Sequence, residues 1–193
     1  METALQNLLP KMAEPPISFR IMIFQGKKDL LKKLPVRLRG YSSWIPGNYR
    51  IIVLIDEDRQ DCHDLKTQLD QAAKQAGLST KSTQSPHEPF QVLNRIVIEE
   101  LEAWFFGDID ALRAAYPRLP KSLQYRALYR NPDTIPGGTW EALERVLQRA
   151  GYFKGGVVKK QAAQAISGYM QPDRNRSKSF QVFYTGIKAL LRF

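Results

Sequence analysis

The chain holds one cysteine, Cys62, among 193 residues, and that scarcity excludes an internal disulfide. Two histidines, His63 and His87, are too few to build a structural zinc cluster with it. Neighbours on a helix point about 100° apart, so Cys62 and His63 make no natural nucleophile pair either. No apolar run reaches the roughly 18 residues of a membrane-spanning helix, and METALQNLLPKMAEPP lacks the basic head and long apolar stretch of a secretory leader. A reducing, cytoplasmic setting is expected. The GxSxG, HExxH, Walker and dinucleotide glycine patterns are missing too. Acidic residues are in short supply, 19 against 29 basic ones, which leaves a formal charge of +10 and favours a polyanionic partner, nucleic acid first.

What the sequence does contain is concentrated in IIVLIDEDRQD, an apolar, strand-like run at residues 51–55 that empties into Asp56, Glu57, Asp58 and Asp61. With the strand continued through this motif, Asp56 and Asp58 point to one side and Glu57 to the other. Two carboxylates so placed could share one Mg²⁺, with Mn²⁺ as a substitute, inside a positively charged protein suited to phosphate chemistry. A strand followed by a polar loop is the plainer alternative. The carboxylates Glu99, Glu100 and Glu102 follow a second apolar run in the same manner, and strand ends of a doubly wound sheet converge on one crevice. If residues 99–106 are helical, Glu99 and Glu102 share a face and could supply a further catalytic carboxylate. Stabilising a helix N-terminus is the alternative role.

Basic residues fall into two clusters. Lys27, Lys28, Lys32, Lys33, Arg37 and Arg39 make the first, and Lys154, Lys159, Lys160, Arg174, Arg176 and Lys178 the second. Either can bind several phosphates or form a solvated face. The run DRNRSKSF mixes residue types that contact phosphate, and Gly155 and Gly156 can add backbone donors.

Periodicity predicts an α/β fold, a mostly parallel central sheet flanked by helices with a helical C-terminal portion. Strands are expected at residues 19–24, 50–55 and 91–98, and helices at 3–12, 27–38, 61–76, 139–150, 157–169 and 182–191. Residues 1–116 form the α/β core in this reading, and residues 117–193 a helical cap or side layer. Trp104, Phe105 and Phe106 are expected in the core.

The succession FQGKKDLLKKLPVRLRGY, IIVLIDEDRQDCHDLK, NRIVIEELEAWFFGD and NRSKSFQVF resembles the bacterial domain-of-unknown-function 4276 family, placed among Toprim-like folds. Toprim domains hold Mg²⁺ with a glutamate ending an early strand and an Asp-x-Asp ending a later one. The resemblance gives Asp56 and Asp58 the second role. Met1 alone precedes Glu2, too little to form the early strand, so either the sequence starts late, at an internal methionine, as is expected, or the protein works without the usual glutamate. The resemblance implies a Mg²⁺-dependent nuclease or phosphotransferase acting on nucleic acid, a component of a prokaryotic defence system with an ATPase partner. A non-catalytic nucleic-acid-binding or ATPase-partner module is the alternative, and a homo-oligomer is compatible with both.

Overall fold

The computed structural model describes residues 1–57, 61–85, 87–153 and 155–192. These residues form a helix-rich α/β structure with one small parallel sheet of two strands. The chain divides into two compact units, one of residues 1–19 and 98–184, the other of residues 20–97 and 185–193. The expected division at 116/117 falls inside the first of these.

In the second unit, the apolar runs form β1 (Ile51–Asp56) and β2 (Val92–Val97), paired in parallel from Ile51 opposite Val92 to Asp56 opposite Val97. Alternation puts Ile51, Val53 and Ile55 on one face with Val92, Asn94 and Ile96. That face packs on α2 (Gly26–Ser42) and α3 (Cys62–Gln75) through Leu30, Leu34, Leu38, Leu69 and Ala73. Pro35 is accommodated inside α2. Asp61 starts α3 by accepting the backbone N–H groups of His63 at 2.8 Å and Asp64 at 3.0 Å. Gly77, at φ +73°, follows its end in the left-handed conformation that glycine adopts freely. The one buried polar side chain of β2, Asn94, donates to Asp70 at 2.8 Å, and Asp70 pairs with Lys66.

The third expected strand is absent. Residues 19–24 are apolar at every position but Arg20, as a strand can be, yet no described segment pairs with them, and Phe19, Met22 and Ile23 are exposed. Phe24 instead packs beside α2, with the Arg37 guanidinium 5.2 Å from its ring centroid.

The first unit is helical: α1 (Glu2–Met12), α4 (Glu102–Gly107), α5 (Ile109–Ala115), α6 (Thr139–Arg149), α7 (Lys159–Tyr169) and the start of α8 (Lys178–Leu190). α1 docks on α7, where Lys11 donates to the carbonyls of Ser167, Gly168 and Met170 and so satisfies the orphan acceptors of a helix end. Trp104, Phe105 and Phe106 are fully buried, as their place on an amphipathic run predicts. Trp104 stacks on Phe183 at 5.2 Å and meets Phe180 edge-on at 5.1 Å. No described helix is long and apolar enough to cross a membrane.

Candidate functional site

β1 delivers Asp56 to the C-terminal edge of the parallel pair, with one carboxylate oxygen shielded from solvent. The strand ends there, and Asp58 lies outside the described residues. Pairing persists for one more bond, Glu57 N–H to the Val97 carbonyl at 2.9 Å. At this edge Lys27, from the first turn of α2, donates its ammonium to the Glu57 carbonyl at 2.5 Å. Lys28, beside it in sequence, is exposed. Asp61 serves as a helix cap, and donation from the Asp64 and His63 N–H groups holds its carboxyl below the usual range.

Among the described residues, no three His, Cys, Asp or Glu side chains gather to hold a metal ion. Mg²⁺ keeps much of its water shell and is commonly held by one or two carboxylates plus substrate phosphate. Asp56 is a hard oxygen donor of that kind.

Glu99 and Glu102 belong to the first unit and do not share a helical face, because α4 begins only at Glu102 and Glu99 sits at φ +59°. Glu100 and Glu102 gather instead around Lys159. The Lys159 ammonium lies 3.6 Å from Glu100 Oε1, 4.0 Å from Glu102 Oε1 and 4.4 Å from the ring centroid of Trp140. Glu100 Oε2 accepts the Trp140 N–H at 3.1 Å and the Thr139 hydroxyl at 3.4 Å, capping α6. Burial pushes the Glu102 carboxyl above its ordinary range, against the pull of Lys159. A carboxyl so perturbed in a polar cluster is a functional candidate.

The remaining basic candidates divide. Lys154 lies outside the described residues, while Lys160 and Arg176 are exposed. Arg174 is engaged within the fold: its Nε donates at 2.9 Å to Asp108, a carboxylate with no solvent exposure. Asp108 also accepts the Ala111 N–H at 3.0 Å and the Gln171 N–H at 2.9 Å. The run DRNRSKSF does bind an anion, but an internal one. Asp133 accepts the Ser177 hydroxyl at 2.7 Å, the Ser179 hydroxyl at 3.1 Å and the Lys178 N–H at 2.5 Å. The Lys178 side chain remains exposed.

A third group of cations, scattered along the chain but gathered in the second unit, escapes sequence reasoning. Burial lowers the pKa of Lys81, and the charges of Arg95 and Arg192 lower it further. The Arg95 guanidinium runs beside Gly186 of α8, where an added Cβ would lie 3.0 Å from Nε. An arginine inside the apolar run of β2 was the available signal.

The chain belongs to the family described as domain of unknown function DUF4276, whose family model matches residues 1–188. No curated protein and no solved structure matches the chain.

Proposed function

We propose that this member of the family acts on nucleic acid as a Mg²⁺-dependent nuclease or phosphotransferase of Toprim-like type, cytoplasmic and working in prokaryotic defence with an ATPase partner. One observation carries the reading: Asp56 stands at the C-terminal edge of a parallel strand pair, with the Lys27 ammonium fixed at the same edge. Open α/β sheets place their ligands outside the carboxyl ends of their strands. Asp56 and Asp58 would hold the ion, for which Mn²⁺ can substitute. When bound, such an ion polarises a phosphoryl oxygen and lowers the pKa of attached water. Lys27 offsets phosphate charge at that edge, and the surplus of basic residues attracts the strand. Among the described residues β1 has a strand neighbour on one side only, which suits pairing with a second copy. Incubation of labelled DNA and RNA with Mg²⁺ or Mn²⁺ tests the activity. Cleavage that survives Asp56→Ala combined with Asp58→Ala contradicts the assignment.

A second reading, a binding module without turnover, is favoured by the surplus of basic residues, which attracts a strand without needing a metal. Equal strand binding in Mg²⁺ and in EDTA, with no cleavage, would select it.

A further inference from the structure

We infer that a cavity at the C-terminal end of α6 binds a backbone phosphate of single-stranded nucleic acid through Arg118, Arg126 and Arg149. The inference rests on the nucleic-acid reading above and concerns a place which that reading does not use.

The cavity measures about 220 Å³, and the three guanidinium-bearing residues line it above a floor that includes Leu123, Val146 and Ala150. Pockets for drug-sized ligands span roughly 300–1,000 Å³, so this one suits a phosphate and part of a sugar or base. No acidic residue lines it. None of the three arginines forms an ion pair among the described residues. Arg118 is positioned in advance, its Nη2 donating to the Gly151 carbonyl at 2.9 Å and its guanidinium 4.0 Å from the ring centroid of Tyr152. Tyr152 is fixed in turn, because its hydroxyl accepts the Arg118 N–H at 3.1 Å. Arg126 and Arg149 are exposed and make no side-chain hydrogen bond among the described residues, so their donors remain available.

Three planar guanidiniums match phosphate geometry better than that of a single carboxylate. A strand explains the surroundings better than an isolated ion does. Tyr125, next to Arg126 in the chain, is 77% exposed and offers a ring on which a base can stack. Arg-lined phosphate contacts beside an exposed aromatic are how sequence-tolerant single-strand binders hold their ligand.

The test is fluorescence anisotropy of a fluorescein-labelled single-stranded 12-mer in EDTA, across a salt series. Arg126→Gln with Arg149→Gln is expected to weaken binding about tenfold and to reduce the salt slope by up to about 0.7, the contribution of one phosphate contact to a single strand. Lys74→Gln, an exposed cation on α3, controls for general charge and should change affinity less than about twofold. If wild type binds but the double variant stays within about twofold of it, or if Lys74→Gln weakens binding as much, the pocket is wrong and the nucleic-acid reading stands. If wild type binds no strand, both fall. Competition by a nucleoside monophosphate as effective as unlabelled 12-mer at equal phosphate would assign the pocket to a free nucleotide and overturn the strand.

Discussion

Glu102 and Asp70 are both carboxylates in contact with a lysine, yet their surroundings push them in opposite directions. Burial dominates at Glu102 and raises its pKa above the unfolded value of about 4.3. The folded state therefore holds that proton more tightly than the unfolded chain does. Its contribution favours folding below pH ~4.3 and is lost as pH rises through the folded value. Glu102→Gln should accordingly gain stability relative to wild type between pH 4 and pH 8 in thermal melts, and a pH-independent difference would contradict this. At Asp70 burial also opposes ionisation, but hydrogen bonds from Lys66 and Asn94 outweigh it and leave the pKa lowered. That contribution is present above pH ~3.9 and lost as pH falls through the folded value, so Asp70→Asn should flatten the acid limb of the stability profile. Asp108 differs again, with no solvent exposure and with Arg174 and two backbone N–H groups converging on it. Asp108→Ala should cost about 1–3 kcal/mol by urea denaturation, because the Ala111 and Gln171 N–H groups lose their acceptor while the half-exposed Arg174 can turn to water. None of these environments is legible in sequence, where Glu102 reads as a catalytic or helix-end carboxylate and Asp70 and Asp108 look like ordinary surface ones.

At the scale of elements, legibility follows continuity of burial. β1 and β2 emerge within a residue or two of their expected bounds because mostly apolar runs suit strands with α2 and α3 on one face and Gly186 of α8 against Leu93 and Arg95 on the other. Residues 19–24 are as apolar as a strand can be, but apolar composition cannot supply a neighbour to pair with. The acidic run after residue 98 has the pattern of one helix, whereas Glu99 at φ +59° sits in a turn and α4 starts three residues later. The anion-binding chemistry of DRNRSKSF is legible and its partner is not, since hydroxyls and N–H groups suited to phosphate serve a carboxylate, Asp133, equally well. Close approach at this junction is demanding. A Cβ on Gly107 would lie 2.0 Å from Asn175 Oδ1 and 2.9 Å from the Ser177 backbone nitrogen. Gly107→Ala is therefore expected to destabilise by about 1–3 kcal/mol, despite alanine's better helix propensity. An unchanged denaturation midpoint would show that the junction yields more easily than its geometry implies.

For the whole molecule, composition speaks about partners and says little about where they attach. A charge of +10 is visible in the sequence, but Arg174, a phosphate ligand by its sequence context, is spent on Asp108, while Arg118, Arg126 and Arg149 gather only after folding. The candidate edge itself is legible, because an apolar run ending in Asp56 marks the end of a half-buried strand. The central claim is that this edge performs phosphodiester chemistry and does more than attract a strand. Cleavage and binding measured on the same samples separate the two, using a labelled single strand with Mg²⁺, Mn²⁺ or EDTA, for wild type and for Asp56→Asn with Asp58→Asn. Metal-dependent cleavage by wild type is expected, lost at least ~100-fold in the double variant, with strand affinity in EDTA retained or raised as two negative charges are removed. Cleavage undiminished in the double variant, or wild type that binds the strand and never cuts it with either metal, would contradict the claim.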